Sequence, residues 1–141
     1  MPGERDLRVL LKSMRPVLKA GEFVFCTAPA LPAGLSVLDA VGLFREEEGL
    51  TLILSRERAD AARLPYTAVF RMVTLSVHSS LEAVGFLAAI TRQLADHGLS
   101  VNAVSAYFHD HLFVPAARAG EVVSLLEQLS GQGHDAGGGA L

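Results

Sequence analysis

The stretch VFRMVTLSVHSSLEAVGFLAAITRQLADHGLSVNAVSAYFHDHLFVP, residues 69–115, decides the fold. Over residues 69–77, Val69, Arg71, Val73, Leu75 and Val77 alternate with Phe70, Met72, Thr74 and Ser76. A period of two is a strand. The period then lengthens: Val84, Leu87, Ile90 and Leu94 fall on one stripe, which predicts a helix over residues 80–97. Ser79 and Glu82 have the S-x-x-E spacing of a capping box, and Gly98 stands just past the predicted end, where helices favour glycine. Residues 101–108 and 111–114 read as two strands joined by a tight turn at His109-Asp110. Beyond them, Val122, Leu125, Leu126 and Leu129 sit at i, i+3, i+4 and i+7 and predict a second helix over residues 117–129. Strand, helix, strand, strand, helix is a split βαβ unit without its last strand. The C-terminal segment SGQGHDAGGGAL, residues 130–141, has too little to bury to offset its ordering entropy and is expected to be a disordered tail. The missing strand must therefore come from the first half of the chain.

That half has strands to spare. Leu7, Leu10, Leu11 and Met14 form a short amphipathic stretch, ended by Pro16. Residues 22–27, EFVFCT, are aromatic and β-branched and read as a strand. Pro29, Pro32 and Gly34 mark a loop. Residues 41–47 and 50–55 flank Glu48-Gly49 and read as a hairpin, whose continuously apolar second run is expected to be the more buried. Residues 57–63 are one or two helical turns, stopped before Pro65. The two halves are thus expected to form one merged sheet or two small sheets that trade an element.

Composition bounds the function. The chain has 141 residues, half of them hydrophobic, with 19% charged and a mean hydropathy of +0.36, so it has ample material for a core and is not a disordered chain. Its formal charge of −3 and pI near 5.9 argue against a nucleic-acid partner held by its phosphates. No apolar run reaches the length of a membrane span, and MPGERDLRVLLKSMRP at the start carries charges where a signal peptide is apolar. The expected setting is the cytoplasm. Cys26 is the single cysteine, which excludes an internal disulfide and a cysteine zinc site; in its apolar strand it reads as an inert core thiol.

Three segments, FREEEGLTLIL (residues 44–54), VHSSLEAVG (77–85) and YFHDHLFVP (107–115), are together similar to a family of small bacterial proteins with tandem ACT domains and no settled role. The strand-to-helix junction VHSSLEAVG resembles the first β–α junction of ACT domains, which are amino-acid-sensing regulatory modules, and GLSVN over residues 98–102 resembles their second strand. Related tandem units occur in arginine sensors of nutrient signalling. The resemblance implies an α+β fold of two ferredoxin-like βαββαβ units in tandem, antiparallel sheets with helices on one face. It divides the chain into a first, incomplete or strand-sharing unit over residues 1–65, a second unit over 66–129 and the tail over 130–141. It implies a small ligand, an amino acid, bound at an ACT–ACT interface. The matching positions are His78, Ser79, Ser80, Leu81, Val84 and Gly85 from the loop and first helical turn, and Asn102 and Ala103 from the second strand. Where ACT domains commonly carry D-x-P-G, this chain has His78-Ser79-Ser80-Leu81.

The chemistry of those residues has two readings. A helix beginning at Ser79-Ser80 would present unpaired N–H groups and partial positive charge, a natural seat for a carboxylate; either serine is equally a plain N-cap. Gly85 inside a helix costs about 1 kcal/mol relative to alanine, which close approach of a ligand or of a neighbouring element would offset. His109 and His111, two apart on a strand, share a face, yet no further His, Cys or carboxylate stands at a diagnostic metal spacing. Their alternatives are a turn and interface role or a ligand contact. Arg45-Glu46-Glu47-Glu48 reads as a solvated edge or an anchor for a cation. No catalytic motif is present, so no catalytic residue, metal or cofactor is assigned. The expected protein is a non-enzymatic sensor, a homodimer acting through a separate downstream protein. The alternatives are a ligand-free dimerisation module and, last, a metal enzyme using His109 and His111.

Overall fold

The computed structural model of the chain describes residues 3–80 and 83–131. They divide into two compact units, one of residues 20–71 and one of the described residues within 1–19 and 72–141.

In the second of these, Asp6 caps helix α1 (Leu7–Ser13), its carboxylate accepting from the Arg8 and Val9 amides. Strand β1 (Pro16–Leu18) follows and pairs antiparallel with β5 (Phe70–Leu75), Val17 opposite Thr74. Next come helix α3 (Phe86–Ala95), strands β6 (Asn102–Ser105) and β7 (Asp110–Pro115), and helix α4 (Ala119–Ser130). The strand order is β1–β5–β7–β6. The fourth strand of the ferredoxin-like unit is therefore β1, supplied from the first half of the chain. Val73, Leu75, Leu112 and Val114 on one face of this sheet pack against Leu10 and Met14 of α1, Phe86, Ile90 and Leu94 of α3, and Val122, Leu125 and Leu126 of α4. Helices thus lie on one face, as the resemblance implies.

The unit of residues 20–71 is built on β2 (Phe23–Ala28), β3 (Gly42–Glu46), β4 (Gly49–Ser55) and α2 (Arg56–Ala61). β4 is central, antiparallel to both β2 and β3, and Phe23 of β2 also pairs with Phe70. Leu52, Ile53 and Leu54 of β4 are buried while β3 is mostly exposed, the asymmetry expected of this hairpin. Val24, Cys26, Leu52, Leu54 and Ala59 form the core. A loop with one turn of 3-10 helix at Val37–Asp39 stands where the complete fold would have its first helix. The hairpin turns at Glu47-Glu48, one residue earlier than the sequence suggests, because the ladder closes with Glu46 opposite Gly49.

Two larger corrections concern the decisive stretch. α3 does not start at Ser80. It starts at Phe86, and Gly85 is its N-cap at φ +88°, a left-handed conformation that glycine adopts freely. Residues 77–80 are not helical, and their backbone is committed elsewhere. The Val77 and Ser79 amides bond two residues back, to the Leu75 and Val77 carbonyls, and the Ser80 amide bonds the Glu4 carbonyl. Val84, placed on the buried stripe by periodicity, is 83% exposed, and the buried stripe is Phe86, Ile90 and Leu94. The capping box cannot form at the start of α3, since Ser79 stands six residues before Gly85 rather than at the N-cap. The β6–β7 turn also moves: its tip is Tyr107-Phe108, closed by the Ala106 amide on the His109 carbonyl, and Asp110 lies in β7 opposite Ser105. The tail beyond residue 131 lies outside the described residues, although Ser130 closes α4.

Candidate functional site

The segment after β5 is extended by a short backbone pairing. Glu4 bridges Ser79 in parallel: its amide donates to the His78 carbonyl at 2.8 Å and its carbonyl accepts from the Ser80 amide at 2.8 Å. Gly3 lies so close that a Cβ there would stand 2.6 Å from the His78 carbonyl oxygen. The N-terminal segment thus holds His78, Ser79 and Ser80 in place without a helix.

Held this way, Ser79 is buried and its hydroxyl donates to Asp110 Oδ2 at 3.3 Å. Asp110 is 7% exposed and accepts a second hydroxyl, from Ser105 across the hairpin, on Oδ1 at 2.5 Å. Beside this trio lies a cavity of about 180 Å³ lined by Ser79, Ser80, Ala83, Phe86, Leu87, Ser105, Ala106 and Asp110. One wall is carboxylate and hydroxyl. The other is the first turn of α3 with two alanines.

Of the residues singled out from sequence, Ser79 and Ser80 line this cavity. His78 is next to it in sequence and packs its ring on Tyr107 and Phe108, at centroid distances of 6.1 and 5.4 Å. Val84 points to solvent and Gly85 caps α3. Asn102 and Ala103 are exposed at the far end of β6, paired with Phe113 and Leu112, whereas Ser105 and Ala106 at its near end line the cavity. Leu81 lies outside the described residues. Sequence reasoning missed Asp110 and Ser105 as site residues. The signal was present in one form, an Asp among apolar strand residues, but a turn explained it more cheaply.

His109 and His111 do not converge on this cavity. The His109 Nδ1–H donates to the Val77 carbonyl at 3.1 Å, and His111 Nδ1 is bonded to the Thr74 hydroxyl at 2.9 Å. Among the described residues no three His, Cys, Asp or Glu side chains are grouped to hold a metal ion. Burial, then His109, lowers the His111 pKa below 6.5, with Asp110 opposing and Lys19 assisting. Cys26 is buried, and burial and then Asp60 push its thiol pKa up, which keeps it protonated and unreactive. Among the described residues no helix is long and apolar enough to cross a membrane.

Sheet order β1–β5–β7–β6 with helices on one face, preceded by a related unit lacking its first helix, defines a tandem α+β module of ferredoxin type. Models of the ACT domain match residues 2–71 and 68–128, and the chain belongs to the ACT-domain family, with two such domains in tandem. Domains of this family are typically regulatory and bind amino acids. A Vibrio cholerae protein of unknown function, described as a possible transport protein, is 44% identical, with a TM-score of 0.79 over 88% of this chain and 95% of that one. The regulatory subunit of aspartate kinase from Thermus thermophilus has a TM-score of 0.57 at 11% identity, covering 81% of this chain and 95% of its own. An Agrobacterium tumefaciens protein has a TM-score of 0.64 at 14% identity, covering 83% and 89%. The last two are likenesses of fold. Among curated proteins no match is found.

Proposed function

We propose that this chain is a non-enzymatic regulatory protein of the cytoplasm that binds a small ligand, an amino acid, at an ACT–ACT interface made across a homodimer, and passes the result to a separate downstream protein. The observation that carries the reading is the polar cavity beside the loop after β5, lined by Ser79 and Ser80, in a chain made of two ACT domains. Residues of the neighbouring strand β6 are exposed, and no strand covers its outer side among the described residues, which leaves an edge for a second copy. His78, Ser79, Ser80, Leu81, Val84 and Gly85 on the loop, with Asn102 and Ala103 on β6, are the proposed ligand-facing set. Regulation then arises by linkage: a ligand that binds one arrangement better shifts the population toward it, by no more than its differential affinity.

Thermal unfolding against each of the twenty amino acids tests this. A melting temperature that rises with the concentration of one or a few of them is the expected result. No rise with any at millimolar concentration refutes it. The second reading, a ligand-free dimerisation module, is favoured by the exposed apolar residues Leu43 and Phe44 on the edge strand β3, with Val37, Leu38 and Val41 close in sequence. It predicts a stable dimer whose melting temperature no amino acid changes.

A further inference from the structure

We propose that the cavity beside Ser79 and Asp110 is a receptor for a small aliphatic primary ammonium, and that the Asp110 carboxylate is the group that reads it. The proposal deepens the ligand-binding reading above and rests on it.

The cost of burying Asp110 comes first. A carboxylate taken out of water is expensive unless paired. Asp110 is 7% exposed, and no lysine or arginine pairs with it among the described residues. Its partners are the Ser79 and Ser105 hydroxyls, at 3.3 and 2.5 Å. Two neutral donors occupy about two of the four or so lone-pair positions of a carboxylate. The remaining capacity borders the cavity. An ammonium, with three donors and a full positive charge, is the group that completes such a set.

Competing ligands fit worse. Anions meet a like charge, and none of the described lining residues is a lysine or arginine to receive them. The Ser80 amide, the donor a ligand carboxylate would use, is already bonded to the Glu4 carbonyl. A metal ion would find, among the described lining residues, one carboxylate and three neutral serine hydroxyls, too few strong ligands. The opposite wall, Ala83, Phe86, Leu87 and Ala106, favours a hydrocarbon group. A dry cavity of roughly 150 Å³ holds benzene, so about 180 Å³ has room for roughly six to eight non-hydrogen atoms. The ligand is then a short branched or linear aliphatic amine, or an amino acid held by its ammonium with its carboxylate toward solvent. The cavity reads the ammonium and does not require the zwitterion.

The test uses the full chain and four probes of one carbon skeleton: isobutylamine, valine, N-acetylvaline and isobutyric acid. Isobutylamine and valine are expected to raise the melting temperature with concentration, and N-acetylvaline and isobutyric acid to leave it unchanged. D110N removes the charge, keeps one acceptor oxygen and turns the other into an NH2 donor to which a serine hydroxyl can rotate and accept. It is expected to weaken isobutylamine at least tenfold in calorimetric titration, with an unchanged circular dichroism spectrum. A106L fills the cavity while leaving Asp110 intact, and is expected to abolish the isobutylamine response, which keeps the test decisive if D110N fails to fold. The proposal is overturned if isobutylamine gives no shift at millimolar concentration, if isobutyric acid binds as well as the amine, or if neither variant changes amine binding. Valine binding that survives D110N unchanged overturns the ammonium receptor and leaves the amino-acid reading standing. Isobutylamine binding with no response to any amino acid supports the receptor and sinks the amino-acid reading instead.

Discussion

Gly85 shows how one residue redirects the decisive stretch. Its φ of +88° is strained for any residue with a Cβ, while the space around it is ordinary, the nearest atom to a Cβ being Leu7 Cδ2 at 3.5 Å. Gly85→Ala is therefore expected to cost about 1–2 kcal/mol in urea unfolding, a conformational penalty with no clash. Gly3 is the reverse case. A Cβ there would meet the backbone of His78, Ser79 and Ser80 at 2.6–2.7 Å, so Gly3→Ala should expel the N-terminal segment. Hydrogen exchange at the Ser80 amide checks this: its protection, which depends on the Glu4 carbonyl, should fall. His111 adds a dependence on pH. Its pKa is lowered on folding, chiefly by burial, so below 6.5 the unfolded chain binds the proton first. Stability is fully present above pH 6.5 and declines as the pH falls from there to the folded pKa, below which the loss is constant. Urea unfolding at pH 7.5 and 5 should show the decline, and His111→Gln should flatten it; an unchanged slope in that variant would assign the effect to another group.

At the scale of elements, the start of α3 separates what periodicity can see from what it cannot. The 3.6-residue period correctly marks Ile90 and Leu94 as buried, and α4 follows its pattern from Val122 to Leu126. It extends α3 too far because Val84 fits the stripe by spacing, and spacing carries no information about φ at Gly85. Two substitutions distinguish the registers by thermal or urea unfolding. Phe86→Ala is expected to cost about 3–5 kcal/mol, since Phe86 is fully packed in the core, whereas Val84→Ser should be near neutral. The strands were legible for the same reason the helices were: alternation at β5 and continuous burial at β4 are local signals. The candidate site was legible only by half. Ser79 and Ser80 are marked by their neighbours in sequence, but Asp110 joins them through a partner 31 residues away. A His-Asp-His run looks like a turn until the sheet order places its aspartate under α3.

On the scale of the whole molecule, the sequence demanded a strand from the first half to complete the second unit, and β1 is that strand. α1 goes with it, since Leu10 and Met14 are fully buried in the same core. Residues 66–131 produced alone should therefore fail to unfold cooperatively, and adding residues 3–19 as a separate peptide should restore a sigmoidal transition followed by circular dichroism. A cooperative transition without the peptide would show that β1 and α1 are dispensable.

The borrowed strand also sets an order of events on the ribosome. Residues 3–19 leave the exit tunnel well before residues 72–131 exist, so Leu10 and Met14 must wait for the core they join while residues 20–71 emerge. Nascent chains stalled between residues 72 and 115 should then be the most dependent on chaperones, and refolding of the finished chain should be slowed by the closure of that long loop.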